Sequence, residues 1–260
     1  IITEVNEPLS RAGYDVTNLE RFGLMIRNSE NAAYNYHKQM VSSGNAWSTS
    51  DGQQMLWDAE RTPVTMIAYA PYMSEAAPDA SLAVNALTNQ TTEENVKSSD
   101  FLLMKATVDP EQDLTADGKL KISLSHAMSK LLIKITVNGT TDAAMNKLGD
   151  MSINGAVVNG ICDLSATVPI VVPAPDAVVA TVAPYKGTES CECILPPQKI
   201  AEGFSVNFSY DGKLYIWTAK EAIELEKGVE HTLTLNVNTT VRLAAKMARN
   251  WATGQLIDRN

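Results

Sequence analysis

Residues Lys119–Val137, KLKISLSHAMSKLLIKITV, decide how this chain is read. Leu120, Ile122 and Leu124 alternate with Lys121, Ser123 and Ser125, the period-two pattern of a half-buried strand. Beyond Met128 the phase changes. Leu131, Ile133, Ile135 and Val137 carry the apolar face, against Lys130, Lys134 and Thr136. A one-residue shift sends every side chain to the opposite face, so one continuous strand would turn half of its apolar residues to solvent. The pattern therefore predicts two strands joined at His126–Lys130, by a bulge within one sheet or by a crossover between two. We take this mid-chain break as a domain junction, dividing the chain into 1–127 and 128–260, the second part including a tail. The inward positions predict that Ile133 and Ile135 are buried and Lys134 exposed.

Outward from this stretch, short β-type runs alternate with turn signals. Phe22–Ile26, Val64–Ala70 and Phe101–Val108 read as strands, the second stopped by Pro71 and the third by Asp109-Pro110. Asn28–Asn45 and Ser74–Val96 read as polar loops. In the second half, Thr141–Leu148 has the caps of a short helix, and Met151–Asn154 and Val157–Leu164 read as strands around a glycine turn. Residues 169–187 carry four prolines and read as an extended surface loop of apolar character. Asp211-Gly212 between Phe204–Tyr210 and Lys213–Thr218 is the strongest hairpin signal. Leu233, Leu235 and Val237 alternate along a last strand. Val241–Trp251 has helical spacing (Arg242, Lys246 and Arg249; Leu243 with Met247) and reads as a terminal helix, a docking strand or an adaptable tail. Many short strands, turn signals and long loops indicate an all-β sandwich protein.

Composition narrows the function. The chain has 260 residues, enough for one large or two modest cores, with 45% hydrophobic and 20% charged residues. A net charge of −9 argues against nucleic acid or anionic lipid as a partner. No apolar run reaches the roughly 18 residues of a membrane helix. Three cysteines, Cys162, Cys191 and Cys193, make no disulfide scaffold; small buried hydrophobes are the plain reading, with Cys162 to either of the others as the pairing left open. His37, His126 and His231 lie about 90 residues or more apart, and none has metal-ligand spacing to another His or Cys. No nucleophile elbow, Walker loop, dinucleotide fingerprint or zincin motif is present. We therefore expect no catalytic, cofactor-binding or metal-binding residues, and no cofactor. Four Asn-x-Ser/Thr matches, at Asn89, Asn138, Asn207 and Asn238, are unsurprising by chance in a chain of this length.

A series of segments resembles one family. Trp57 followed by Val64-Thr-Met-Ile-Ala-Tyr-Ala-Pro-Tyr72, then Ser99-Asp-Phe-Leu-Leu103, Leu124-Ser-His-Ala-Met-Ser-Lys-Leu131, Leu195-Pro-Pro-Gln198, Gly228-Val-Glu-His-Thr-Leu-Thr-Leu235 and finally Trp251 resemble, in order, segments of the fimbrillins of Bacteroidales, the pilins of the type V pilus. They span residues 57–251; His231, where an aromatic is common, and the basic tail depart from the pattern. The resemblance implies two tandem transthyretin-like Greek-key sandwiches and no catalysis. It implies export through the outer membrane as a lipoprotein precursor, membrane contact only through that lipid anchor, and a place in a cell-surface fimbrium. It implies other fimbrial subunits as partners, joined by donor-strand exchange after a protease removes an N-terminal strand, often cutting after arginine. Arg11 and Arg21 are then the candidate processing sites, and Val241, Leu243 and Met247 candidate donor-strand residues. A tip adhesin or glycan-binding module on the same fold is the alternative, with Tyr34, Tyr36 and Trp47 as candidate sugar platforms and a host or bacterial receptor as partner.

Overall fold

The structure, a computed structural model, describes residues 2–6, 13–14, 18–43, 46–116, 118–139, 144–237, 243–247 and 255–258. In chain order the first half contains β1 (Ile2–Asn6), β2 (Arg21–Arg27), a 3-10 turn (Ala32–Tyr34), β3 (Tyr36–Ser43), β4 (Ala46–Thr49), β5 (Val64–Ala70), β6 (Ser81–Asn85), α1 (Glu93–Ser98), β7 (Leu102–Val108) and β8 (Lys121–His126). Next come β9 (Ser129–Val137), α2 (Ala144–Lys147), β10 (Leu148–Val157), β11 (Asn159–Asp163), β12 (Val171–Pro173), β13 (Val179–Val182), β14 (Tyr185–Lys186) and β15 (Cys191–Leu195). The chain continues through β16 (Gln198–Ile200), β17 (Ser205–Tyr210), β18 (Lys213–Thr218), β19 (Ile223–Leu225), β20 (Glu230–Val237), β21 (Leu243–Met247) and β22 (Gln255–Asp258). The protein is all-β.

The phase break is a crossover. β8 ends at His126 within a seven-stranded sheet of order β1-β8-β7-β5-β2-β3-β4, and β9 starts at Ser129 as the middle strand of a second sheet, β14-β15-β9-β20-β21. Two residues make the transfer, and both are buried: Ala127 N–H donates to Phe101 O, and Met128 O accepts from Gly228 N–H. Leu120, Ile122 and Leu124 pack in one core with Phe22, Leu24 and Met66, while Leu131, Ile133 and Ile135 pack in another with Phe204, Leu233 and Leu235. Ile133 and Ile135 are fully buried as expected, and Lys134 is only partly exposed. Ile135→Ala is expected to cost about 2–5 kcal/mol, the range for truncating a buried Ile. An unchanged urea midpoint would show that this face is not core.

Lys130 departs from the pattern. It is 3% exposed, on the face read as polar, and its Nζ lies 2.8 Å from the Glu192 carboxylate of the neighbouring β15. β9 lies between β15 and β20, and its first five residues are buried on both faces. The alternation marks one apolar face there but not the cover over the other.

The seven-stranded sheet is itself covered on both sides. β2 and β5 place Leu24, Ile26, Met66 and Ala68 in the first core and Met25, Ile67 and Tyr69 in the second. The runs Phe22–Ile26 and Val64–Ala70 are thus continuously apolar because both faces are dry. Gly23 makes this possible for Tyr69, since a Cβ there would stand 2.4 Å from the phenol ring. The second core also draws in Ala76, Leu82, Val84 and Val96 from the first half, and β6 pairs with β11.

Four stretches form more structure than their sequences indicate. Asn28–Asn45, expected as loop, holds β3, whose polar alternate residues suit a strand laddered between β2 and β4. Ser74–Val96, also expected as loop, holds β6 and the start of α1, which Thr92 caps by accepting Asn95 N–H. Residues 169–187 supply the short strands β12, β13 and β14, each at an edge of its sheet, where proline is tolerated. Leu243–Met247 is strand β21 on β20 rather than helix, because β20 offers an open ladder that outweighs local helical spacing. The expected hairpin is present: β17 and β18 flank Asp211 and Gly212, both at positive φ (51° and 76°) as a primed turn requires. The helix expected over Thr141–Leu148 is α2; residues 140–143 lie outside the described set.

All three cysteines are free and buried. Burial pushes the Cys162 thiol up to about 11 and the Cys191 thiol up to about 12, and raises Cys193 as well. Thiolate is the reactive form, so a thiol reagent at neutral pH is expected to label the native chain slowly and all three thiols fast after denaturation. Rapid labelling of the native chain would contradict this packing.

Candidate assembly edges and the polar junction

The candidate residues of the termini fall on or beside sheet edges. β1 runs parallel to β8, with Ile2 beside Lys121 and Val5 beside Leu124, and closes one edge of the seven-stranded sheet. β21 closes an edge of the second sheet by pairing antiparallel with β20. β22 closes an edge of a third sheet, β13-β10-β17-β18-β22, by pairing with β18. Leu243 and Met247 are the end residues of β21, in register with Val237 and Leu233; Val241 lies outside the described residues. Thus every described strand of either terminus before β2 or after β20 is an edge strand, and the interior ladders do not depend on it.

Arg11 lies outside the described residues, whereas Arg21 opens β2 in register with Val41. Phe22, on the far side of the Arg21 peptide bond, is fully buried, and Glu20 O accepts Ser42 N–H. Between the two arginines the chain is strapped down. Asp100 Oδ2 accepts Tyr14 N–H at 3.1 Å, Lys97 Nζ donates to Asn18 O at 2.9 Å, and Leu19 is buried in the first core. Burial, followed by the nearby Asp100 charge, pushes the Tyr14 phenol up to about 12.

The same Asp100 reaches the histidine of the crossover. His126 Nδ1 lies 2.8 Å from Asp100 Oδ2, and because a carboxylate only accepts, that nitrogen donates. Asp100 Oδ1 accepts Phe101 N–H at 2.9 Å. His126 is therefore a structural, hydrogen-bonded histidine. The Lys130–Glu192 pair is adjacent, and two glutamines stitch neighbouring segments in the way missing strands would. Gln90 brackets Ile194, with Oε1 accepting its N–H and Nε2 donating to its carbonyl, both at 2.8 Å. Gln198 brackets Val157 in the same way at 2.9 Å. Sequence reasoning missed these links. The visible signals were charges inside apolar strands, Lys130 and the Glu192 of Cys191-Glu-Cys193, which must find partners if buried.

An apolar cavity of about 210 Å³ enters the first core, lined by Leu24, Ile26, Trp57, Met66, Leu114 and Leu120. It lies beside the end of β8 at which β1 begins. Trp47 packs edge-on against Phe22, with ring centroids 4.8 Å apart, and the Tyr36 hydroxyl is engaged by the Leu56 backbone. Trp47 is half-buried at the edge of the first core. Among the described residues no group of His, Cys, Asp and Glu is placed to hold a metal ion, and no helix is long and apolar enough to cross a membrane.

Layered, mostly antiparallel sheets closed at their edges by the chain's own terminal strands define a β-sandwich protein. Residues 10–250 match the sequence profile of the fimbrillin-like family, and the chain belongs to that family. Its fold is similar to the crystal structures of two candidate cell adhesion proteins. One, from Bacteroides ovatus, has a TM-score of 0.68 at 17% identity, over 99% of this chain and 95% of that one. The other, from Bacteroides uniformis, has a TM-score of 0.66 at 15% identity, over 97% and 93%. The tip fimbrial protein Mfa3 of Porphyromonas gingivalis, truncated at its C-terminus, is similar with a TM-score of 0.51 at 10% identity, over 92% and 94%. No curated protein matches the sequence significantly.

Proposed function

We propose that this member of the fimbrillin-like family is a non-enzymatic stalk or accessory subunit of a cell-surface fimbrium, polymerising by donor-strand exchange after N-terminal proteolysis. In this reading the chain is two tandem transthyretin-like Greek-key sandwiches, 1–127 and 128–260, exported as a lipoprotein precursor, and its partners are other fimbrial subunits.

The observation that carries the reading is the placement of β1, β21 and β22 at sheet edges. Loss of β1 would leave β8 with unpaired backbone groups beside Ile122 and Leu124, which are fully buried. An edge of that kind is a template for an incoming strand. The cavity next to the start of β1 adds a place for an apolar side chain of that strand. Arg11 is the better processing site. Cutting there releases β1 and leaves Tyr14 and Asn18 held by Asp100 and Lys97. The Arg21–Phe22 bond lies inside a ladder, where a protease cannot bind it extended. The donor is the tail after Val237, including Val241, Leu243 and Met247; the pairing of Leu243–Met247 on β20 is an edge contact.

The test is limited digestion with an arginine-specific protease followed by light scattering, with and without residues 239–260. The uncut chain is expected to be monomeric and the cut full-length chain to form oligomers, and the cut, truncated chain to remain monomeric. A cut full-length chain that stays monomeric at high concentration would sink the strand-exchange reading.

A further inference from the structure

Two clefts on the second face of the seven-stranded sheet meet at Arg27 and Pro78. One has a volume of about 410 Å³ and includes Ser29, Thr65, Lys105 and Thr107. The other, about 390 Å³, includes Asn35, Tyr36, His37 and Asp79. The floor follows from strand register. Arg27 on β2 stands opposite Thr65 on β5, and Thr65 stands opposite Thr107 on β7. Register partners share a face, so a guanidinium and two hydroxyls line up across three strands, over about 10 Å at the usual strand spacing. Below this row lie Met25 and Ile67, both buried.

The walls are fixed. Lys105 Nζ donates to Leu164 O, Ser165 O and Ala166 O at 2.7, 3.2 and 2.8 Å, tying the segment after β11 to the sheet. Leu164 N–H donates to Ala80 O, which holds the Pro78 turn in turn. Lys105 is thereby consumed by the architecture, while no Asp or Glu among the described residues forms an ion pair with the exposed Arg27. The nearby acids are Glu30, which accepts from Ser29 Oγ at 3.3 Å, Asp79, which is exposed, and Asp163, which accepts from Ser165 N and Oγ.

We propose that this cleft binds a carboxylate-bearing sugar residue of a glycan. A guanidinium fork matches one planar carboxylate, and the hydroxyls of Thr65 and Thr107 with the Asn35 side-chain NH2, whose Oδ1 already accepts Asn28 N–H, match the hydroxyls of the ring. A single uncommitted cation in a chain of net charge −9 does not suit a polyanion. Pro63, Val64, Ile67 and Pro78 complete the lining and give the apolar edge of a sugar ring a surface to rest on. Uronic and sialic acids both have this chemistry, and the test separates them.

The experiment is a ¹⁵N–¹H NMR titration of the uncut full-length chain with D-glucuronate, N-acetylneuraminate, D-glucose and acetate. It does not involve polymerisation, so its outcome is independent of the strand-exchange reading. One of the two acidic sugars is expected to shift the amides of Arg27, Thr65 and Thr107 with millimolar affinity, and the one that does identifies the sugar class. Glucose and acetate are expected to bind at least about ten-fold more weakly, and Arg27→Gln to weaken the acidic sugar by about ten-fold or more while leaving the melting temperature unchanged. Thr107→Ala should weaken the sugar but not acetate. The proposal is overturned if neither acidic sugar shifts these amides at high millimolar concentration, if glucose or acetate binds as well, or if Arg27→Gln binds like the parent.

Discussion

Replacement of Lys130 by Met is expected to destabilise the fold by about 3–5 kcal/mol, because it removes one partner of a buried ion pair and leaves the other charge unmatched. Lys130 and Glu192 are both nearly inaccessible and 2.8 Å apart. A second carboxylate sharpens the expectation. Glu230 stands directly opposite Lys130 on β20, and its Oε2 is buried without a hydrogen-bond partner. With Met at position 130, Glu192 would keep its charge beside an apolar side chain where water has little access, next to the partly buried Glu230. The double variant Lys130→Met/Glu192→Leu should recover most of the loss, since a well-packed apolar pair is often as stable as a buried ionic one. Urea unfolding of the parent, single and double variants checks this. A single variant as stable as the parent would mean that the pair is not desolvated as described.

The second large effect is expected at Trp217. It is fully buried on β18 and meets Phe204 edge-on, with centroids 6.2 Å apart. Trp217→Ala should cost about 3–5 kcal/mol for the lost contacts and the cavity left behind. Trp217→Phe should cost clearly less than its loss of volume suggests. The Trp217 Nε1–H is buried with no partner among the described residues, and an unpaired buried donor carries a penalty of about 1–3 kcal/mol that Phe does not have. Thermal unfolding of the two variants separates the terms. If Phe is as damaging as Ala, the indole nitrogen is not the unsatisfied group it looks to be.

These two residues show how unevenly the structure was legible. Trp217 sits in a strand whose hairpin was plain from Asp211-Gly212, because a primed turn needs two residues tolerant of positive φ and few pairs supply them. Lys130 was placed on the correct face of its strand, but that face was read as open to solvent and is covered. Period-two alternation tells which residues share a face, but it does not tell how many faces are covered. The counter-charge that lets Lys130 be buried, Glu192, comes from β15, about 60 residues away in sequence, and the local pattern carries no trace of it. The same limit hid β3 and β6. Both are polar on alternate residues and become strands because a neighbour offers a ladder, a preference set by context more than by composition.

The candidate site divides in the same way. The resemblance of ordered segments pointed to the family that residues 10–250 match. The arginines, and the apolar residues of the tail, were visible as residue types. Their placement was not: the tail's helical spacing gave way to an edge position on β20, and the Asp100 strap joins residues 86 apart. The Arg27 cleft was invisible altogether, since it exists only where three strands align Arg27, Thr65 and Thr107.

By itself, then, the sequence determined the β class, the core faces of β8 and β9, the break at His126–Lys130 and the hairpin turn, because each depends on backbone sterics or on burial period within a few residues. Tertiary structure alone decided that the break is a crossover between sheets, that the middle of β2 and β5 is dry on both faces, that Lys130 is inside, and that the terminal strands lie at edges. Those outcomes depend on which distant segment supplies the missing surface, ladder or counter-charge, and a local pattern encodes only the demand for one.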